Sequence, residues 1–562
     1  MGVLNISFCT VFKLGSHSIR GRCYFELLLV DNVIYGSLAS VKNFFNQAIY
    51  RNTFKSCSLS SMMGFKKLFR STEMWILIIF LVVLTIRLFI AFQSEFFNYD
   101  TYYTLRQVES VKSTGLPLYN DPLSYGGKQQ ILAPFYYYFL AFFSLFMPLT
   151  LAAKIIPNIF ASFIVILTYI IALRITKSQR TALLTGFMSG FIPIIFNNIN
   201  KAGNDYLSII LVFGIIYCMF RINERKYIDY TLILIFILVL TSPLALILIL
   251  GLLFYLLLLK LEDQQVEMKE LEIILFFAFL AFWVNLLLYK NAFLSHGLMV
   301  IWQNIPSSII SDFFSQLTLL EAILTISLIP LLLGLYAFYI NFHLEKNKEV
   351  MLLTGFAIST FLLMWFRLLD FITSLMFMSI ALVIIASYSI KKISNTVEKT
   401  KFHKQSKILI VILIIIFAAT SIYPALIIGM DKSSQVPSED DLIVLEWAYE
   451  NTPQNSVIAS TVDEGNIVTH IAKRKNIMDN NYLLTQNIDQ RLKDVDTLYQ
   501  TKFQIDAVSI LNKYKSKYIL LTDYARKKYN IDDLSYSGNE ECFQRIFYSN
   551  NSTLYLAKCK IR

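Results

Sequence analysis

Apolar residues in this chain arrive in blocks of about 20, the length that crosses the hydrocarbon of a bilayer. That pattern leaves few fold classes open. The blocks are separated by short polar stretches, and 56% of the 562 residues are hydrophobic. Globular domains run at roughly 45–50%. The sequence therefore predicts a polytopic α-helical membrane protein of about 11–13 spans. The net charge of +11 belongs to loops on one side of the membrane. No basic stripe interleaved with base-stacking aromatics accompanies it, so nucleic acid is excluded as a partner.

Charge asymmetry sets the expected threading. Lys66, Lys67 and Arg70 precede the first span, about Met74–Phe92, and Lys391–Lys407 carries six lysines against the single acid Glu398. The positive-inside rule places both in the cytoplasm. The same rule works for every loop only if the aromatic block Pro134–Phe146 does not cross. That block is expected to be juxtamembrane or re-entrant. The last span, Ile408–Met430, then delivers the C-terminal segment to the outside.

Three regions are expected. Residues 1–62 hold half of the six cysteines and no full span. They read as an N-terminal extension, a translated leader or a mis-assigned start ahead of Met63. Residues 63–430 form the membrane domain, with a first external loop at 94–131. Residues 431–562 alternate β-rich runs, Ser456–Ser460 and Lys517–Thr522, with helical patterns at Asp489–Tyr499 and Ile505–Tyr514. That alternation predicts a small extracytoplasmic α/β domain. Ser438-Glu439-Asp440-Asp441 opens its first helix in the manner of a capping box. Cys542 and Cys559 bracket a predicted hairpin. Its ends are either bridged, in an oxidising compartment, or left as two thiols.

The candidate chemistry gathers at the expected outer surface. Asp100 lies just beyond the first span, in Phe97-Asn98-Tyr99-Asp100-Thr101-Tyr102-Tyr103-Thr104-Leu105-Arg106. A Gly/Pro-rich turn follows at Gly115–Gly127. Asp205 ends the second external loop, Asn200-Lys201-Ala202-Gly203-Asn204-Asp205. Two carboxylates from separate loops could share acid–base work or hold a divalent cation, Mg or Mn. The bland alternative for each is a helix cap. Arg367 sits at a short hairpin tip, where a guanidinium suits a phosphate or pairs with Asp370. Glu321 could supply a third carboxylate or mark the membrane boundary.

Taken together these positions resemble the GT-C superfamily of membrane glycosyltransferases, most closely the catalytic subunit of oligosaccharyltransferase. The resemblance runs over roughly Met63–Asn481 and is most specific in the first loop: Asp100, Tyr102–Arg106, Gly115, Asp121 and Tyr125-Gly126. It implies Asp100 and Asp205 as catalytic residues, Arg367 as the donor-phosphate ligand, and Asp100, Asp205 and Glu321 as metal ligands. Glu321 closes Thr318-Leu319-Leu320-Glu321. The family's acceptor motif, Trp-Trp-Asp-Tyr-Gly, falls on Thr461-Val462-Asp463-Glu464-Gly465. This makes Glu321, Asp463 and Gly465 the acceptor-binding residues. The downstream Arg and Asp-Asn-Asn fall on Arg474 and Asp479-Asn480-Asn481. Both tryptophans are missing here, and the second loop offers one carboxylate where the family usually shows a pair.

The function implied is transfer of a sugar or oligosaccharide from a polyprenyl phosphate or pyrophosphate donor to a protein or glycan acceptor. The loop Lys290–Gln316 is expected to close over the substrate. A transporter, or a non-catalytic glycolipid-binding membrane protein, is the rival reading. Transporters, however, keep their charges at mid-membrane and often show repeats, and neither pattern is seen. The expectation for residues 1–62 is tested by an intact mass of the native protein. A start near Met63 is expected, and a peptide from residues 1–60 would refute it.

Overall fold

The computed structural model describes residues 72–315, 317–399 and 406–560. The expected extension, residues 1–62, and Met63–Arg70 lie outside the described residues. Among the described residues, seven helices are long and apolar enough to cross a membrane: Thr72–Ala91, Leu149–Thr176, and those within 268–314, 328–345, 348–365, 371–397 and 411–451. This is the build of an integral membrane protein. Large apolar side chains stay exposed along these helices, Phe279, Phe282, Leu294 and Ile415 among them. That outer surface suits lipid rather than water. Four further predicted spans are helical but shorter: Gln179–Gly190 continued by Pro193–Phe196, Asp205–Met219, Arg225–Thr241 and Ala245–Leu261. The aromatic block forms the nine-residue helix Phe135–Phe143. At 1.5 Å per residue it is too short to span.

One buried charge inside the bundle is matched by hydrogen bonds. Arg87 is fully buried. It donates to Asn158 Oδ1 (3.0 Å), the Ile195 carbonyl (3.2 Å) and Tyr206 Oη (3.0 Å). Its guanidinium also lies 4.9 Å from the centre of the Phe196 ring. Asn158 in turn donates to the Ile199 carbonyl. These bonds grip both ends of the segment 197–204, which emerges where the helix Pro193–Phe196 stops.

The first long loop, 94–131, folds on itself. Its helix, Tyr99–Thr114, starts at Asn98, whose side chain accepts from the Thr101 amide, and ends at Gly115 with φ of 79°. Only a residue that tolerates the left-handed region closes a helix this way without strain. Two short strands, β1 (Asn120–Asp121) and β2 (Lys128–Gln129), pair antiparallel. Arg106 and Asp121 form a buried two-pronged ion pair at 2.9 and 2.7 Å. Asp121 also accepts from the Leu123 and Ser124 amides and from Gln130. Burial works against its charge, but Arg106 and the backbone amides hold its carboxyl below the usual range.

The C-terminal segment is an α/β domain as predicted. A capping box at Ser438 and Asp441 opens the helix Glu439–Asn451. The sheet contains β3 (Val457–Ala459), β4 (Lys475–Asn476), β5 (Tyr518–Leu521), β6 (Phe543–Ser549) and β7 (Ser552–Ala557), in the order β4-β3-β5-β7-β6. Strands β4, β3 and β5 run parallel, and β7 lies antiparallel to β5 and β6. Cys542 and Cys559 are bridged across the β6–β7 hairpin. The core of the bundle continues without a break into Val444, Leu445, Ile467, Val468 and Leu520 of this domain.

Loop and domain are docked. Tyr125 enters the domain's second apolar cluster. Its amide donates to Asn476 (2.7 Å) and its hydroxyl to the Asp479 carbonyl. Ser124 donates to Asp479 Oδ2 at 2.6 Å. Gly465 packs against the same turn: a Cβ there would fall 2.1 Å from the Met478 carbonyl. No other residue fits so close an approach.

Two outcomes follow from these buried groups. Asp121→Ala strands the buried Arg106 guanidinium, which costs about 3–5 kcal/mol. Faster proteolysis within 94–131 and a lower melting temperature are expected. Glu464 is buried, and burial pushes its carboxyl from 4.5 up to about 7 against hydrogen bonds from Thr522 and Thr461. Its folded pKa exceeds its unfolded value, so its stabilising contribution is complete below pH 4.5. That contribution is lost as pH rises through about 7, an effect on the order of a few kcal/mol. Melting curves of wild type should decline over this window, and those of Glu464→Gln should lose that decline.

Candidate functional site

A cavity of about 310 Å³ opens between the first loop, the segment 197–204 and the ends of two apolar helices. Its lining is polar: Asn98, Asp100, Asn198, Lys201, Asp370 and Lys432 are prominent. Hydrogen bonds tie the two acid-bearing loops together. The Thr101 hydroxyl donates to Asn98 Oδ1 (2.7 Å) and accepts from the Ala202 amide (3.0 Å). The Asn98 amide donates to the Asn200 carbonyl. Asn200 donates to Ser433, which donates to the Ile90 carbonyl. The last apolar helix, Tyr423–Ser434, is thereby joined to the first.

Asp100 and Asp205 converge. Lys201 Nζ lies between them, 3.8 Å from Asp100 Oδ2 and 3.4 Å from Asp205 Oδ2. Asp205 first, then Asp100 and Asp370, hold this ammonium charged above the usual lysine value despite its partial burial. Asp100 Oδ1 accepts from Asn480 of the C-terminal domain, and Asp205 Oδ2 accepts from Asn198 at 3.1 Å. Neither acid is a helix cap. Asn98 performs that task for the helix Tyr99–Thr114, and Asp205 is the first residue of its helix, after Asn204 at the cap position, with its Oδ2 turned to Asn198 and Lys201. The Asp100 side chain is 46% exposed and that of Asp205 15%. Asp100 is thus the carboxylate open to an incoming group.

The other predicted site residues fall elsewhere. Glu321 closes a capping box with Thr318 at the start of the helix Leu319–Ile326 and does not line the cavity. The structure therefore does not bring the expected trio Asp100, Asp205 and Glu321 together. Among the described residues no group of three or more His, Cys, Asp or Glu is placed to hold a metal. Arg367 does not pair with Asp370. Its Nη1 donates to the Ile310 carbonyl at 3.0 Å, and its guanidinium lies 5.3 Å from the Phe314 ring centre. Asp370 instead caps the helix Phe371–Glu398 through the Thr373 amide and faces the cavity. Asp463 accepts from Tyr524 and Lys528, both at 2.6 Å.

The expected loop Lys290–Gln316 starts later than its composition implied, because the helix Met268–His296 runs on into its first residues. The remainder forms short helical turns that dock on the C-terminal domain. Asn304 donates to the Tyr482 and Thr485 carbonyls, and Ser307 donates twice to Asp489. Sequence reasoning named neither Lys201 nor Asn198 nor Lys432 for the site. The signal available was the dense run Asn197-Asn198-Ile199-Asn200-Lys201, more amide and charge than a short turn requires.

The carboxylates present do not fit a divalent cation. Such an ion needs about six oxygen ligands, at roughly 2.1 Å for Mg. Here an ammonium stands between the two acids, and the amide hydrogens of Asn480 and Asn198 point at their oxygens.

No family model matches the sequence, and no curated protein matches it. Solved structures do match. The oligosaccharyltransferase AglB from Archaeoglobus fulgidus, in complex with an inhibitory peptide and a dolichol-phosphate, aligns with a TM-score of 0.57 and 14% identity. The match covers 78% of this chain and 69% of that one. The enzyme of the same organism in complex with Zn and sulfate aligns at 0.56 and 15%, over 84% and 73%. ArnT from Cupriavidus metallidurans bound to undecaprenyl phosphate aligns at 0.54 and 12%, over 86% and 98%. These neighbours are GT-C membrane glycosyltransferases, and this chain has their fold.

Proposed function

We propose that this chain is a membrane glycosyltransferase of the oligosaccharyltransferase kind. It moves a sugar or oligosaccharide from a polyprenyl phosphate or pyrophosphate donor to an extracytoplasmic protein or glycan acceptor. The observation that carries the reading is the approach of Asp100 and Asp205 to one ammonium, that of Lys201, beside a polar cavity that Asp100 and Lys201 line, with Asn480 of the C-terminal domain donating to Asp100. The GT-C fold supports it, as do the lipid phosphates bound by the AglB and ArnT neighbours. The lysine-rich segment Lys391–Lys407 supports an extracytoplasmic site, through the positive-inside rule.

In this mechanism the lipid phosphate enters beside Lys201 and Lys432, which line the cavity. Arg367 joins it when the segment around Ile310 and Phe314 lifts away and frees the guanidinium. The acceptor lies against Asp100. A bond forms from the acceptor atom to the anomeric carbon as the bond from that carbon to the phosphate oxygen breaks. The electron pair leaves with the phosphate, through an oxocarbenium-like state. A hydroxyl acceptor gives its proton to Asp100 as general base.

Thr461 and Val462 are buried, and Thr461 is bound to Glu464. They offer no aromatic shelf where the acceptor motif has its tryptophans. This supports a hydroxyl acceptor over an Asn-x-Ser/Thr peptide. Asp463 and Gly465 then act within the domain: Asp463 pairs with Tyr524 and Lys528, and Gly465 packs against the turn that receives the first loop.

Purified protein incubated with polyprenyl-linked sugars and either peptide or glycan acceptors tests the proposal. Wild type is expected to transfer, and Asp100→Ala to lose about 100-fold or more in rate. Undiminished transfer by Asp100→Ala would refute the mechanism.

A further inference from the structure

We propose that Lys201 is the resident cation of this site. Its ammonium stands where a divalent ion would bridge Asp100 and Asp205, and it supplies the positive charge that the departing phosphate needs, so that transfer requires no divalent metal. The inference deepens the proposed function and takes the chemistry of the leaving group from it.

Three observations carry it. First, the ammonium contacts one oxygen of each acid, at 3.8 and 3.4 Å, and so bridges two loops as an ion would. Second, the acids are already provided with hydrogen-bond donors. Asn480 donates to Asp100 and Asn198 to Asp205. Turning either amide over would set oxygen against carboxylate, so the side chains next to the acids are built for anions with a fixed cation. Third, the chain makes room for the lysine stem. A Cβ on Gly203 would lie 3.3 Å from Lys201 Cε and 3.2 Å from Asp205 Oδ2. The glycine lets the stem pass close to the backbone and return to Asp205, four residues on.

The consequence for the reaction is charge balance. As the anomeric carbon–oxygen bond breaks, the phosphate oxygen gains negative charge, and a pre-placed ammonium stabilises it without reorganisation. Unlike a bound ion, the lysine cannot dissociate or be chelated. Asp100 keeps an exposed edge toward the acceptor while its other contacts hold its orientation.

The test is Mn²⁺ binding to the purified full chain, followed by the electron paramagnetic resonance of free Mn²⁺, with no lipid present. Wild type is expected to show no saturable site below about 1 mM. Lys201→Met keeps the stem and removes the charge. It is expected to gain one site, at least about tenfold tighter, that disappears when Asp205→Asn is added. Lys201→Arg should exclude Mn²⁺ as wild type does. A saturable wild-type site that Asp205→Asn abolishes would overturn the proposal, as would a folded Lys201→Met protein that takes no Mn²⁺. In the transfer assay, EDTA should leave wild type within about twofold of its rate, whereas a metal-dependent step loses far more. Transfer that EDTA abolishes sinks the lysine proposal alone. The predicted Mn²⁺ pattern in a protein that never transfers sugar sinks the glycosyltransferase reading alone. If Lys201→Met fails to fold, the wild-type titration and the EDTA arm still decide.

Discussion

The buried guanidinium of Arg87 is the constraint around which the site end of this bundle is arranged. A charge in an apolar helix bundle is tolerated only with its donors satisfied. Here a side-chain amide, a backbone carbonyl and a phenol, all neutral, receive them. Those three acceptors come from the helices Leu149–Thr176, Pro193–Phe196 and Asp205–Met219. Meeting them fixes where the segment 197–204 leaves and re-enters the bundle. Lys201 and Asp205 inherit their positions from that segment, and Thr101 then registers the first loop against it.

Around this frame the protein separates exposed chemistry from buried support. The pair of Arg106 and Asp121 is dry and two-pronged, and it shapes the first loop from within. Asp479 and Asn476 receive that loop on the domain side. Asn480, next to Asp479 in sequence, is thereby carried to Asp100. The domain is a wall of the site as well as an appendage, because one of its amides sets the orientation of the most open carboxylate. The close approach of Gly465 to Met478 and Asp479 keeps that wall in place.

Much of this was legible in the residues. Apolar blocks of span length, the Ser438 capping box, the alternation of strands and helices after residue 431 and the β6–β7 hairpin depend on neighbours close in sequence. They came out as the patterns implied. Asp100 and Asp205 stood out because acids beside spans are uncommon. Local rules left the partners of Arg367 and Glu321 unread, for opposite reasons. Glu321 has a partner three residues away in Thr318, and a capping box needs nothing more. Arg367 has an acid three residues on, yet it turns to Ile310 and Phe314, more than fifty positions away in sequence. Lys201 stands in the same loop as Asp205, but a lysine in a loop is ordinary until two carboxylates close on it.

By itself the sequence determined the class of solvent this chain folds in, the helices, the α/β domain after the last apolar block, and two acids beside the spans. These follow from hydrophobicity and from caps and turns, which act over a few residues. Tertiary structure alone decided which acids meet, that a lysine stands between them, and that an amide some 380 positions from Asp100 completes the group. The reason is physical. Charges in a low-dielectric setting are positioned by what neutralises them, and the neutralising partners come from whichever segments the packing brings within reach.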